Sequence, residues 1–185
     1  MLSAKRREVC SLVLFALCAC TSSAPEATHE TLGLESASFA RGGVIPEKYT
    51  CHGSNTSPAL SWAAPPAQTA SLALVVIDRD SPLQLVFGPF VHWIVYNLPA
   101  RTRQLPESTP KAAALPEGTL QGRNSAGESA YHGPCPPGNA SHRYVFALYA
   151  LDVNLNLPPG VTLKRLEAAM RGHVLAEGRT SAHYR

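Results

Sequence analysis

The residues best suited to chemistry stand at the ends of strand-like runs. His142 and Tyr144 open the run His142 to Leu151, and because side chains of an extended chain alternate, they leave on one face with Phe146 and Leu148. A histidine and a tyrosine placed side by side can both donate hydrogen bonds to an oxyanion, and a charged donor makes such bonds roughly twice as strong. The loop before them, Gly133-Pro134-Cys135-Pro136-Pro137-Gly138, has its φ angles largely fixed by prolines. Little conformational entropy is left to lose when a ligand settles against it, which suits a pocket wall. Asp78 ends a second run, Ser71 to Asp78, and His92 lies near the start of a third, Phe90 to Asn97. Each has a plainer role open to it: a histidine or tyrosine satisfied within the core, or an aspartate capping the turn at Asp80-Ser81-Pro82. Asp78, His92 and His142 also make a two-histidine, one-carboxylate set of the kind that holds metals, though without local ligand spacing. No Gly-x-Ser-x-Gly, Gly-x-Gly-x-x-Gly or His-Glu-x-x-His motif is present. With no nucleophile or cofactor named, the reading is a binding protein without a cofactor rather than an enzyme.

Those runs need a frame. Phe39 to Ile45 reads as a first strand broken at Gly42-Gly43, and Ala59 to Trp62 as a short second one bounded by prolines. Ser71 to Asp78, apolar from Leu72 to Ile77 and rich in β-branched residues, reads as a central strand covered on both faces. In Phe90 to Asn97 strict alternation puts His92, Ile94 and Tyr96 on one face, Val91, Trp93 and Val95 on the other. Between them Leu83 to Phe87 is unusually apolar, with a buried strand extension expected and a partner surface as the alternative. Pro99 to Gly127, rich in Pro, Gly, Ala and Thr, reads as a long surface excursion. Thr162 can cap a helix running to Arg171 with Leu163, Leu166, Ala169 and Met170 as its apolar stripe and Gly172 as its stop. His173 to Ala176 reads as a last strand and Gly178 to Arg185 as a tail. Several strands and one late helix make a mainly β domain.

A chain of 185 residues, 45% hydrophobic and 16% charged, is sized for one folded domain. Its net charge of +3 is spread out, with no basic run outside the N-terminus and no aromatics interleaved with Lys and Arg, which argues against a nucleic-acid partner. At the N-terminus Lys5, Arg6 and Arg7 precede an apolar run, Val9 to Ala19, that fits a secretory segment and is too short to span a bilayer. It ends Leu17-Cys18-Ala19-Cys20, which resembles a bacterial lipobox. On this reading residues 1–19 are a signal peptide, Cys20 is the lipidated first residue, 20–32 form a flexible tether and 33–185 the domain. Acyl chains contributing about 0.8 kcal/mol per buried methylene would then hold the protein on a membrane of the cell envelope. The alternative is an ordinary signal peptide with no lipid. With Cys10, Cys18 and Cys20 assigned to the leader, Cys51 and Cys135 remain as a pair, free to form a disulfide in an oxidising compartment or to stay as two buried thiols.

Taken in order, these stretches resemble the phosphatidylethanolamine-binding protein family, in particular its bacterial Raf-kinase-inhibitor-like branch. Gly133 to Pro137 followed by His142-Arg143-Tyr144 is similar to the family's GPxPP loop and HRY. Asp78-Arg79-Asp80-Ser81-Pro82 is similar to its DPDAP, and Val91 to Pro99 to its HW-x-V-x-N-x-P. Tyr49-Thr50-Cys51-His52-Gly53 with Ser57 to Trp62 fits the bacterial branch, and the likeness runs from about residue 33 to residue 185. It implies an antiparallel β-sandwich with short peripheral helices, one near the C-terminus. It also implies a small anion pocket lined by Asp78, His92, Pro136, His142 and Tyr144. The partners implied are a phosphorylated small molecule or lipid head group and a protein such as a protease or kinase, at a periplasm-facing outer membrane in a Gram-negative cell. Asp78 has the wrong sign for an anion site. The expectation is that it accepts a hydrogen bond from a histidine and holds it protonated, or faces a ligand ammonium. His132, where relatives often have glycine, and the run from Leu83 to Phe87 depart from the pattern at the pocket mouth.

Overall fold

The computed structural model describes residues 30–82, 84–138 and 140–185. Residues 1–29, on which the expected signal segment, Cys20 and most of the expected tether fall, lie outside them, as do Leu83 and Asn139. In chain order the strands are β1 (Glu30–Thr31), β2 (Leu60–Ser61), β3 (Ser71–Asp78), β4 (Phe90–Pro99), β5 (Gln104–Leu105), β6 (Leu120–Gln121), β7 (His142–Leu151) and β8 (Val174–Tyr184). Two α-helices, α1 (Gln84–Phe87) and α2 (Leu163–Met170), complete the set. Six strands form one sheet in the order β1-β8-β7-β3-β4-β6, and β2 pairs with β5 in a second, small one. All pairs are antiparallel except β1 with β8.

The unbroken apolar run of β3 places it in the middle of the large sheet, between β7 and β4, with a core on each face. On one side Leu72, Leu74, Val76, Phe146 and Leu148 pack with Leu34, Leu60 and Trp62 from the N-terminal loops and small sheet. On the other, Ala73, Val75, Ile94 and Tyr96 pack with Leu166 and Met170 of α2. That helix shows its expected stripe, and Gly172, at φ +82°, takes the left-handed position that ends it. Thr162 occupies the N-cap position but its hydroxyl makes no capping bond.

Several expectations are corrected. Phe39 to Ile45 forms no strand and contributes only an isolated bridge from Val44 to His183. Residues 30–32, expected in the tether, belong to the fold: Glu30 and Thr31 pair with β8, and Leu32 is buried in the core. Gly178 to Tyr184 is not a tail but the greater part of β8. Gly178 does not break the strand; it admits the N-terminal segment, since a Cβ there would lie 2.9 Å from Leu32 Cβ. The excursion from Pro99 to Gly127 closes the sheet edge, and Gln121, fully buried, accepts the Trp93 indole N–H at 2.6 Å. Leu83 to Phe87 does not extend a strand, because residues 84–87 form α1.

The correction that matters most for function lies in β4. Val76 faces Trp93 while Ile77 faces Val91, so His92 is the extra residue of a β-bulge. Strict alternation would group His92 with Ile94 and Tyr96. The bulge instead leaves Val91 with those two and turns His92 to the other face, where its ring meets Tyr144 edge-on at 5.0 Å.

Candidate functional site

The register brings four strand ends together: Asp78 opposite both Phe90 and Tyr144, Tyr144 opposite Ala182, and His142 opposite Tyr184. A cavity of about 190 Å³ opens there, and Asp78, His92, Pro136, His142 and Tyr144 all line it, with His132, Phe90 and Ser81 beside them. No lysine or arginine is among its lining residues.

Each polar group is aimed by a neighbour. His142 Nδ1 lies 2.7 Å from Asp78 Oδ2, and since a carboxylate can only accept, Nδ1 carries a proton and Nε2 is left for the cavity. The other oxygen of Asp78 accepts the Asp80 N–H at 2.8 Å, and Asp80 in turn accepts the Arg143 N–H at 2.7 Å. The turn after β3 is thereby fastened to the start of β7. His92 gives its Nδ1–H to the His132 carbonyl at 2.7 Å. Burial pushes its pKa down to about 4, outweighing the opposing pull of the His132 and Gly133 carbonyls and of Asp78. At neutral pH His92 is therefore an uncharged ring offering an Nε2 lone pair. The carboxylate–histidine contact expected of Asp78 is made with His142, not with His92.

Tyr144 is the anomaly. Its side chain is buried, its hydroxyl has no hydrogen-bond partner among the described residues, and it lines the cavity, where a core tyrosine would have bonded to backbone. Burial, reinforced by the charges of Asp78 and Asp80, raises its pKa well above the usual phenol range, so it stays a donor. An unpaired buried hydroxyl costs roughly 1–3 kcal/mol.

The wall from Tyr131 to Pro137 is pinned to the early turn. Cys51 and Cys135 are joined in a disulfide that closes a separation of 84 residues. The Cys51 N–H donates to the Pro134 carbonyl at 3.1 Å, the Tyr131 hydroxyl to the Tyr49 carbonyl at 2.8 Å, and the Gly133 N–H to Asn55 Oδ1 at 2.7 Å. Gly133 has to be glycine, since a Cβ would stand 2.4 Å from the Tyr49 carbonyl oxygen. Asn55 escaped the sequence reading because its tie to Gly133 spans 78 residues. Phe90 had a signal, one residue from the family-like Val91-His92-Trp93. Among the described residues, the one trio of His, Cys or carboxylate ligand atoms close enough to share an ion is Cys51, His52 and Cys135. Both sulfurs of that trio are spent in the disulfide, and Asp78, His92 and His142 do not form such a group.

With this geometry in view, relatives are informative. The family model described as phosphatidylethanolamine-binding protein matches residues 35–185. The chain belongs to the phosphatidylethanolamine-binding protein family. A UPF0098 protein of Methanothermobacter thermautotrophicus is 43% identical over 154 residues, covering 83% of this chain and 99% of that protein. One from Chlamydia muridarum is 44% identical over 152 residues, covering 82% and 97%. Among solved structures, a phosphatidylethanolamine-binding protein homolog of Chlamydia trachomatis superposes with a TM-score of 0.75 at 41% identity, covering 84% of this chain and 98% of that one. Escherichia coli YbcL, described as a member of the mammalian family, gives 0.75 at 28% identity, covering 83% and 97%. The family's mainly β fold with a helix near the C-terminus is the fold of this chain.

Proposed function

We propose that the cavity binds a phosphoryl group, free or as the head of a phospholipid, and that the chain is an exported binding protein held at the cell envelope through an acylated Cys20. One observation carries the ligand reading: a buried Tyr144 hydroxyl with nothing to donate to, beside a His142 whose Nδ1–H is already given to Asp78. A phosphoryl oxygen seated between them accepts a hydrogen bond from the tyrosine hydroxyl and meets His142 Nε2 as a donor once that nitrogen is protonated. Asp78 then offsets the imidazolium, which answers its apparently wrong sign. The Nε2 lone pair of neutral His92 suits a ligand that also donates, an ammonium or a protonated phosphate oxygen. Phosphorylethanolamine is accordingly expected to bind more tightly than inorganic phosphate.

Ser81 lines the cavity, yet no hydrogen bond joins it to His142 among the described residues. The Asp78–His142 pair thus lacks the nucleophile contact of a Ser-His-Asp hydrolase, which favours binding without turnover. Export is supported by the Lys5 to Cys20 pattern and by the oxidised Cys51–Cys135 pair. A protease or kinase held at the same mouth would reveal itself by competing with phosphorylethanolamine. The deciding experiment is calorimetric titration of the oxidised, chelator-treated protein with phosphate and phosphorylethanolamine. Saturable binding that weakens about tenfold in Tyr144→Phe and is lost in His142→Ala is expected; equal affinity in wild type and both variants would sink the reading.

A further inference from the structure

Three large hydrophobic side chains are exposed among the described residues: Leu85 at 93%, Val86 at 73% and Val44 at 72%. Single exposed apolar residues need no explanation. These three, however, gather at one end of the large sheet. Leu85 and Val86 belong to α1, seven and eight residues beyond Asp78 at the cavity. Val44 bridges to His183, the neighbour of the Tyr184 that faces His142. Arg79, Arg143 and Arg185, at the ends of β3, β7 and β8, are exposed and form no ion pair among the described residues. The exposed carboxylates there are Asp80, which holds the Arg143 N–H, Glu47, and Glu128, 3.9 Å from the His132 ring. Apolar points set among unpaired cations are the chemistry of a surface that rests on an anionic bilayer.

We infer that this end of the sheet docks on an anionic lipid surface, with Leu85, Val86 and Val44 entering the acyl boundary and the cavity opening toward the head groups. The chain outside the described residues agrees with that orientation. Glu30, the first described residue, lies beside Ala176 of β8 and Thr31 beside Glu177, and seven residue steps separate Glu177 from Tyr184, about 23 Å along the strand. The ten residue steps from Cys20 to Glu30 span at most about 33–36 Å, enough for an anchor at Cys20 to return to the cavity end. The role given to the cavity rests on the phosphoryl-ligand reading; the surface contact itself does not.

The test uses the full chain with one reporter tryptophan at a time, Leu85→Trp, Val44→Trp or, at the opposite end of the sheet, Arg171→Trp. The native Trp62 and Trp93 are buried and give a constant background. On phosphatidylcholine–phosphatidylglycerol vesicles with brominated acyl chains, emission from positions 85 and 44 should shift to the blue and be quenched, and that from 171 should not. Because the reporters read orientation, attachment through the N-terminal segment does not confound them. Equal quenching at 171, or none at 85, overturns the proposal, as does a blue shift at 85 that appears without vesicles as the protein dimerises. A Leu85→Asp/Val86→Asp variant should lose the lipid contact while binding soluble phosphorylethanolamine as wild type does. Lipid contact at 85 and 44 in a protein that binds no phosphorylethanolamine would keep the docking and overturn the cavity's role.

Discussion

From Tyr131 to Pro137 the cavity wall is held by a disulfide, by prolines and by backbone or side-chain hydrogen bonds at Tyr131, His132, Gly133 and Pro134. Across the mouth, the described side chains of Ser81, Pro82, Leu85 and Val86 make no hydrogen bond or ion pair to another segment, and the last two point into water. The two sides divide the labour. Tied residues fix where a ligand's oxygens must sit, which demands positions held to a fraction of an ångström. Untied ones supply surface, where contact area counts for more than angle.

That contrast can be broken from the pinned side first. Cys51→Ala with Cys135→Ala, or reduction, reopens a loop spanning a separation of 84 residues and should cost about 4.5 kcal/mol in the chain-entropy account. Denaturant midpoints measure it, and a loss well under ~1 kcal/mol would show the wall does not depend on the bond. The next effect belongs to His92. Its folded pKa, about 4, lies below the unfolded 6.5, so as pH falls the unfolded chain takes the proton first and stability drops between those values, staying low beneath them. The loss should approach about 3 kcal/mol, and His92→Gln, which cannot titrate, should show a pH dependence smaller by that amount. Matching pH profiles would mean that the folded ring takes its proton as readily as the unfolded one.

Tyr144→Phe sharpens the comparison by separating folding from binding. Removing an unpaired buried hydroxyl should raise stability by about 1 kcal/mol, while affinity for phosphorylethanolamine falls roughly tenfold. A variant that is less stable and binds equally well would assign the hydroxyl to the core. On the untied side, Leu85→Ser with Val86→Ser should change stability by no more than about 0.5 kcal/mol, since both side chains already face solvent. A larger loss in thermal unfolding would reveal packing that the exposures do not show.

The same division explains what could be read in the sequence. Asp78, His142, Tyr144 and the proline loop were legible because each sits where a regular run starts or stops, and regular runs declare their faces by period. His92 was legible as a residue and misread as a direction, since a bulge is one unpaired position against a partner strand and leaves no mark on its own strand. The extent of β8 was hidden for a related reason: Gly178 looks like a break until Leu32 and Leu34 are known to lie over it. The exposed α1 reversed its expectation because apolar composition says that a segment seeks cover, without saying that the cover lies within the chain. Tyr144 gave no hint of its orphaned hydroxyl, a property of its surroundings alone.

The place of β8 in the sheet has a consequence in time. It lies between β1, the first strand made, and β7, which carries His142 and Tyr144. A ribosome that has reached Leu151 holds β3, β4 and β7 with the outer edge of the ligand strand still open. Only when residues 174–184 follow can that edge be covered and the N-terminal segment be drawn in beside it. Assembly must therefore wait for nearly the whole domain to be synthesised.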